Sequence, residues 1–364
     1  MIDPKGKLWG TRTTGNEVTV FSGAPGKEKE TKKPQADDLS TRRFLDREEG
    51  ARLRKGFVLR NPEAAPGEPS LLCHMGRDYT GALSVVECAE GLLTNCYNGK
   101  ADDLYLVRRD GSKEVRASLQ RGLIWSILPS SQVGEFLALV DHQVFSWRLA
   151  DGGWNEMTRP NGRPASCLDV SRSRAVWYEE PNLVVYDLVT QSELSRQELA
   201  PELYSGHSPQ MEAALSSDGK MLAYCAHSGQ IELVEVASGA SYRSITGNFA
   251  MVTKLIFSRD GKSLFVKEQY GRWTLLAFEV ETGQPIKKWP ACGDLGTGDV
   301  ALSASGRYLA MGAYSRLEVL DLTSGEKQTI MIDQVAKRFQ FVWTADDQVA
   351  VRTDAGCLGL YRIT

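Results

Sequence analysis

Short apolar runs, separated by polar turns, cover most of this sequence from about residue 70 onward. In the clearest copies, a Ser-x-Asp-Gly-Lys or Ser-Ala-Ser-Gly-Arg turn comes directly before a four-residue run that is mostly apolar. Asp-Gly and Ser-Gly favour tight hairpin turns, because glycine adopts a positive φ without a Cβ clash. The pattern therefore predicts antiparallel strands joined by a recurring turn, with three clear copies and a weaker fourth at 216–220, 258–262, 303–307 and 344–347.

A second recurring feature is an alternating apolar strand that ends on a large residue before a polar turn. Each interval between copies has room for about four short strands, and helical periodicity is absent from these intervals. Four strands repeated every 40–45 residues or so are typical of β-propeller blades. The sequence therefore predicts an all-β, seven-bladed β-propeller over residues 70–364. The copies lie 39 to 48 residues apart and end at Val107, Trp147, Tyr186, Val234, Phe278, Leu320 and Tyr361.

The last predicted blade has only three strands, at 339–343, 349–353 and 358–363. An unpaired sheet edge favours unwanted association, so we expect another strand to cover it. Residues 70–75 lie just before the first complete blade and are the candidate strand. Their pairing with the C-terminal strands would close the ring.

The blades resemble those of WD-repeat propellers over roughly residues 70–364. Gly206-His207 lies 28 residues before Glu235, which is similar to the family's spacing between Gly-His and Trp-Asp. Tyr186-Asp187 and Leu320-Asp321 resemble degenerate Trp-Asp endings. The sequence has one Gly-His pair and no Trp-Asp dipeptide, so the hydrogen-bond network that these residues build in the family is not expected in most blades.

Residues 1–69 form a predicted N-terminal extension. Segments 7–12 and 17–21 read as a hairpin around Gly15, and 23–38 has the Gly, Pro and mixed charge of a linker. Residues 40–54 favour a short helix with Ser40 as its N-cap and charged pairs at i, i+4. Two interpretations remain open: an extension docked on a seven-bladed propeller, or an eighth, interrupted blade. The hairpin resembles the middle of a blade, which also allows the chain to be a piece of a longer protein.

Composition excludes several classes of protein. The 364 residues carry 43 Lys plus Arg against 46 Asp plus Glu, a formal charge of −3, so the whole chain is not a phosphate-backbone binder. Its seven cysteines are an odd number, and a chain of this length does not need disulfides. Apolar runs are strand-length, and no signal peptide or membrane-spanning segment is visible. We expect a cytoplasmic protein with no membrane association.

No catalytic or metal-binding motif stands out. The end of a P-loop is present in Gly261-Lys262-Ser263, but Ile256 replaces its first glycine, so a hairpin turn is the better interpretation. The pairs Cys73-His74 and Cys225-x-His227 are the closest approach to zinc-ligand spacing and read as a strand residue beside a loop residue. The sequence therefore predicts no metal, no cofactor and no enzymatic activity.

Aromatic and arginine residues suggest a binding surface instead. Trp125, Trp147, Trp177 and Trp343 lie in strand patterns and are predicted core residues. In a propeller, the turns between second and third strands share one face, where aromatic and arginine side chains often anchor partner proteins. The predicted partner-binding residues on that face are Tyr270, Arg272, Trp273, Tyr314, Arg316 and His227, with Glu179 and Glu180 as an adjoining acidic sector.

A local excess of positive charge in the predicted helix could tether an acidic partner or nucleic acid. Interleaved carboxylates favour an ordinary solvated surface, so nucleic acid is the less favoured partner. The tether residues are Arg42, Arg43, Arg47, Arg52 and Arg54.

Together these observations favour a non-catalytic protein-interaction scaffold that is a subunit or domain of a larger assembly. The alternatives are a hydrolase or lyase with a site in the central channel, and nucleic-acid contact through the extension. The predicted innermost strands are almost uncharged, with Glu87 and Asp169 as the nearby acids, which disfavours the enzyme. These strands are predicted at 82–86, 124–128, 167–170, 213–216, 255–258, 300–303 and 339–343.

Overall fold

The computed structural model describes residues 1–76, 82–120, 122–130, 132–141, 143–156, 166–171, 174–179, 181–199, 212–227, 230–247, 249, 251–268, 274–286, 289, 295 and 299–363. For residues 166–171 and 226–227, the backbone alone is described. Within these residues the protein is all-β, with one helix and eight separate antiparallel sheets of three to five strands.

The first sheet, here called the N-terminal sheet, contains β1 Leu8–Thr14, β2 Glu17–Gly23 and β3 Lys29–Pro34. The predicted hairpin is therefore confirmed. The linker prediction for 23–38 was wrong in part, because six of those residues pair with β2 as an exposed edge strand. Backbone pairing with β2 holds this exposed strand in place, and its lysines discourage pairing with a further chain at the open edge.

The predicted helix is confirmed as α1 Asp38–Arg54, but its N-cap is Asp37 rather than Ser40. The Asp37 carboxylate accepts a hydrogen bond from the Ser40 amide at 2.7 Å. This bond lowers the pKa of Asp37. A carboxylate satisfies the open amides at a helix start and favours its positive dipole end, so the helix begins earlier than predicted.

The other seven sheets are called sheets I to VII in chain order. Sheet I contains β6 Val85–Cys88, β7 Gly91–Tyr97, β8 Asp102–Val107 and β9 Lys113–Leu119. Sheet II contains β10 Ile124–Pro129, β11 Glu135–Val140, β12 Gln143–Arg148 and β13 Trp154–Glu156. Sheet III contains β14 Ser166–Ser171, β15 Arg174–Glu179, β16 Asn182–Asp187 and β17 Ser192–Glu198.

Sheet IV contains β18 Ala213–Leu215, β19 Met221–His227, β20 Gln230–Glu235 and β21 Ser241–Thr246. Sheet V has three strands among the described residues: β22 Val252–Phe257, β23 Ser263–Glu268 and β24 Leu275–Glu279. Sheet VI contains β25 Val300–Leu302, β26 Tyr308–Ala313, β27 Arg316–Asp321 and β28 Lys327–Met331. All seven predicted strand-ending residues, from Val107 to Tyr361, lie in the third strand of their sheets.

Sheet VII joins distant parts of the chain. Its own strands are β29 Phe339–Trp343, β30 Val349–Thr353 and β31 Cys357–Tyr361, and they are extended by β5 Pro69–His74 and β4 Leu59–Arg60. β31 pairs antiparallel with β5, as predicted for residues 70–75. The Ser70 hydroxyl also bonds the carbonyl of Leu360, 290 residues later, at 3.1 Å.

The recurring turn has the same structure in its two Ser-x-Asp-Gly-Lys copies. In the turn before β23, the Ser258 hydroxyl donates to Asp260 at 2.6 Å and accepts from the Ser263 amide at 2.9 Å. Gly261 follows at a φ of +70°. The same bonds form around Ser216 before β19. The repeat read from the sequence is therefore a repeated hydrogen-bonded turn between the first and second strands.

The apolar core lies mainly between successive sheets rather than inside one layer. Separate clusters join sheets I and II, III and IV, IV and V, V and VI, and VI and VII. A further cluster joins sheet VII to sheet I. Backbone contacts between neighbouring sheets follow the same order: β6 of sheet I contacts β10 of sheet II, and β29 of sheet VII contacts β6 of sheet I. Burial between neighbouring faces therefore provides the main stabilising contact.

The tryptophans test the predicted core directly. Trp147, Trp177 and Trp343 are buried, as predicted. The prediction for Trp125 was wrong: its side chain is 43% exposed, and its indole N–H donates to the Asp141 carboxylate at 3.2 Å. Trp125 is the extra residue of a β-bulge in β10, because Ile124 pairs with Val140 and Ser126 with the next residue back, Leu139, so the regular alternation of side chains is interrupted there.

Sheet I is joined to sheet II by a buried polar cluster, here called the Asn95 network. The Asn95 side-chain amide donates to the carbonyls of Ala82 and Ile124, both at 3.0 Å, and its oxygen accepts from the Ser84 amide at 2.9 Å. The buried Asp102 carboxylate accepts from Asn95 at 2.9 Å and from the Ile124 amide at 2.8 Å. These bonds fix the start of β10 against sheet I.

The N-terminal region docks against sheet VII. Leu53 of α1 packs with Leu72 and Cys357 in a buried cluster. Gly50 lies against the Gln334 side chain so closely that a Cβ would overlap it, and the Gln334 amide donates to the Asp46 carbonyl at 2.8 Å. A larger residue at position 50 would displace the end of the Gln334 side chain from its place beside the helix.

Candidate functional site

A cavity of about 440 Å³ lies where the first strands of sheets IV to VII begin. We call it the mouth cavity. Side chains from four sheets line it, and several are charged: Glu212, Lys254, Lys267, Asp299, Lys337 and Arg338, with Thr253, Tyr314, Phe339 and Gln340. Because strands alternate in direction within a sheet, this end is also where the turns between second and third strands lie.

Two lysines lie directly opposite each other on neighbouring strands of sheet V. Lys254 of β22 and Lys267 of β23 are direct partners in the antiparallel register. Lys267 is only 3% exposed, whereas the Lys254 side chain is 41% exposed. Like charges directly opposite each other destabilise a sheet, and burial adds to that cost. The arrangement therefore needs negative charge nearby.

Two carboxylates supply part of that charge. Asp299 lies 3.9 Å from the Lys254 ammonium, and Glu212 lines the same cavity. Burial lowers the pKa of Lys267, with Asp299 and Glu212 opposing the shift and Lys254 adding to it. Four cationic side chains against two acidic ones leave the described lining of the cavity positively charged.

Lys337 and Arg338 are held at the cavity by a carboxylate on another turn. Asp354 follows β30 and accepts hydrogen bonds from the backbone amides of Ala336, Lys337 and Arg338, at 2.8, 2.8 and 3.1 Å. In return, the Asp354 amide donates to the Arg338 carbonyl at 3.1 Å. The loop that carries both cations is therefore ordered before any ligand arrives, which lowers the entropic cost of binding.

Tyr314 lies at the rim of the mouth cavity, in the turn between β26 and β27. Its ring is 63% exposed and its φ is +52°, a left-handed conformation that is uncommon for a non-glycine residue. Arg316 begins β27 and pairs with Glu318 at 2.8 Å. Of the predicted partner-binding residues, Tyr314 therefore belongs to the cavity lining, and Arg316 is engaged in an ion pair beside it.

A second cavity of about 450 Å³ continues from the mouth cavity, sharing Lys254, Asp299 and Gln340 with it. Residues of β10, β18, β22, β25 and β29 line it, together with the exposed Trp125. Asp141, which holds the Trp125 indole, lies in the turn between β11 and β12 at a φ of +42°. The space is therefore elongated and bordered by the first strands of several sheets.

Most of the other predicted partner-binding residues lie outside the part of the chain that the structure describes. Tyr270, Arg272, Trp273 and Glu180 lie outside the described residues, and His227 is described only as the last backbone position of β19. The Glu179 carboxylate accepts from Arg196 at 3.2 Å. Its place in an acidic sector stays a prediction.

The predicted tether residues all lie on α1. Arg42, Arg43, Arg47 and Arg54 are exposed, while Arg52 is half-buried. Arg52 lies over the Trp9 ring at 5.6 Å and pairs with Glu48 at 3.9 Å. Arg47 lies over the Phe44 ring at 5.4 Å. At least two of the five therefore have contacts within the chain, and their role as a tether stays a prediction.

Other motifs have structural explanations. Gly261-Lys262-Ser263 forms the turn into β23, as the hairpin interpretation expected. Within the described part of the chain, no group of three or more His, Cys, Asp or Glu side chains is arranged to hold a metal ion. No helix among those same residues combines the length and apolar character needed to cross a bilayer.

The sequence analysis did not identify the charged residues of the mouth cavity as part of a site. The predicted first strand of this unit began at Leu255, and the second ended at Val266, so Lys254 and Lys267 fell one position outside. Extending the hairpin symmetrically about its turn would have paired the two lysines and revealed the like-charge contact.

No protein-family model matches this chain, and no curated protein sequence is significantly similar to it.

Proposed function

We propose that sheets I to VII form a closed, seven-bladed β-propeller of the WD-repeat-like kind, with the N-terminal sheet and α1 as a docked extension. The supporting observations are the apolar clusters between successive sheets and the contacts that lead from sheet VII back to sheet I. The pairing of β5 with β31 supplies the outer strand that the last blade lacks in its own sequence.

On this scaffold, we propose that the protein is a non-catalytic interaction platform that binds a partner protein at the mouth cavity. The observation that carries the proposal is the mouth cavity itself, where side chains of four sheets converge at one end. An ordered loop held by Asp354 and an exposed Tyr314 at the rim suit a surface that is built to receive another chain.

Affinity purification of the tagged protein from its native extract, followed by mass spectrometry, tests this function. A variant with Tyr314→Ala, Lys254→Ala and Lys337→Ala should lose the partner that the unchanged protein recovers. Lys262→Ala is the matched control, because Lys262 is an exposed cation in the turn before β23, at the other end of that strand. Equal partner recovery by both variants would refute the assignment to the mouth cavity, provided that their melting temperatures agree.

One observation favours a second candidate, an enzyme with its site in the channel. A buried lysine and two carboxylates border a cavity with room for a small molecule, contrary to the expectation of an almost uncharged channel. Screening for hydrolase and lyase turnover, with Lys267→Met as the comparison, tests it. Turnover that Lys267→Met abolishes would favour the enzyme over the platform.

A further inference from the structure

The charge of the mouth cavity indicates which kind of chain it would receive. Lys254 and Lys267 are forced together by the strand register, and Lys337 and Arg338 are added from a separate loop. Asp299 and Glu212 are the acidic side chains in the described lining, so cations outnumber them. Like charges on directly paired residues destabilise a sheet, and an anion bound near the two ammonium groups would reduce that cost.

The polar atoms of the cavity are consistent with this electrostatic picture. The Thr253 hydroxyl is buried in the lining and has no hydrogen-bond partner among the described residues. A hydroxyl can donate to a carboxylate oxygen, and a buried polar group without a partner is costly. An incoming anion would therefore find both positive charge and a hydrogen-bond donor.

The shape of the space distinguishes an extended chain from a small ion. The mouth cavity continues into the second cavity, which is lined by Ser126 of β10 and by the shared Gln340 of β29. Side-chain hydroxyls and amides can bond the backbone of an extended peptide. Trp125, exposed on the same wall, offers an apolar surface to its side chains.

We infer that the mouth cavity binds an acidic, carboxylate-rich peptide segment of a partner protein, whose side chains reach the Lys254–Lys267 pair while its backbone extends into the second cavity. This inference rests on the proposed function, because it names the partner's chemistry at the same site. The binding is electrostatic in origin and weakens as salt rises.

Fluorescence anisotropy with fluorescein-labelled hexaglutamate at low ionic strength tests the inference, with labelled hexaglutamine as the neutral probe. Hexaglutamate should bind at least about tenfold more tightly than hexaglutamine, the factor that corresponds to one partly desolvated ion pair. Lys254→Gln and Lys337→Gln should each weaken hexaglutamate binding by about five- to tenfold, whereas the control Lys262→Gln should leave it unchanged.

Inorganic phosphate is the competing small anion. If hexaglutamate binds no better than hexaglutamine, or if phosphate binds and hexaglutamate does not, the inference is overturned. Equal weakening by Lys262→Gln would also overturn it, because attraction would then come from the whole surface. If the alanine variant of the mouth cavity still loses its native partner while hexaglutamate fails to bind, the interaction platform stands and the acidic ligand does not.

Discussion

The Asn95 network and the mouth cavity both bring polar side chains of neighbouring sheets together, but they do so in opposite ways. In the network, Asn95 and Asp102 bond each other and the backbone of Ile124, so polar atoms meet partners of the opposite kind. In the mouth cavity, two lysines are paired across neighbouring strands beside open volume, and Asp299 lies 3.9 Å from the Lys254 ammonium. The contrast separates polar groups that stabilise a junction between sheets from like charges that the strand register brings together at a cost.

The largest expected effect comes from breaking the network. Asp102→Ala removes the acceptor for the Asn95 amide and the Ile124 amide in a fully buried setting. The Ile124 amide loses this acceptor and the Asn95 amide loses one of its three, and loss of buried hydrogen bonds to a charged acceptor typically costs up to about 3 kcal/mol. Urea denaturation should show this loss of unfolding free energy. Asp110→Ala, at an exposed turn in the same sheet, is the control and should change it by less than about 1 kcal/mol.

A second cluster of like charges allows the cost of burial to be varied with pH. Burial, with Asp333 and Asp46 nearby, raises the pKa of Glu49 from 4.5 to about 7. Asp46 and Asp333 also have raised pKa values, while Arg42 and the Met1 amino group oppose these shifts. Since the folded state binds a proton on Glu49 that the unfolded state has already released, stability should fall as pH rises from about 4.5 to 7.

Glu49→Gln should remove most of this pH dependence. We expect the unchanged protein to lose about 2 kcal/mol of unfolding free energy across that range, because each pKa unit corresponds to about 1.4 kcal/mol and solvent screens part of it. Urea denaturation at pH 5, 6, 7 and 8 measures the difference. Parallel pH profiles for the two proteins would show that α1 docks without a charge penalty at Glu49.

The recurring turns contain the same kind of bond as the Asn95 network, a side-chain oxygen that accepts from a backbone amide. They lie at the surface, where water competes for these hydrogen bonds. Ser258→Ala removes the acceptor for the Ser263 amide and the donor to Asp260. Loss of these partly solvated bonds should cost about 1 kcal/mol. Ser216→Ala, in the equivalent turn, should cost the same within about 0.5 kcal/mol in thermal or urea denaturation. Different values for the two sites would mean that the turns are not equivalent.

The smallest effect should come from Lys267→Met, and its sign is the sharpest test of the comparison. Methionine fills a similar volume and removes the buried charge opposite Lys254. Replacing a costly buried charge by an apolar side chain is often neutral or stabilising, so we expect a change between zero and about 1 kcal/mol in favour of folding. A loss above about 2 kcal/mol would place Lys267 among the structural groups, alongside Asp102.

Elements that repeat could be predicted from the sequence, because each copy supports the others. The Ser258 turn and its copies marked where a first strand ends and a second begins. The strand endings from Val107 to Tyr361 marked the third strand of each of sheets I to VII. Trp125 was misplaced because it is the extra residue of a β-bulge in β10, which an alternating apolar pattern does not reveal. β3 was missed because an exposed edge strand has no apolar pattern.

The candidate site was predicted only in part. Tyr314 was placed on the correct end of its sheet because a turn between predicted strands fixes that end. Lys254 and Lys267 were missed because their meeting depends on register at the end of a hairpin, where strand boundaries are least certain. Lys337 and Arg338 depend on the tertiary bonds of their loop to Asp354, which no local pattern reveals.

The union of β5 with β31 also has a consequence for synthesis on the ribosome. Ser70 leaves the ribosome 290 residues before Leu360, which at about 5–20 residues per second is a delay on the order of 15–60 s. During that time the nascent strand carries Leu71, Leu72 and Cys73 without their final partner. We therefore expect the yield of native protein to depend on translation speed and on chaperone access to this strand during the delay.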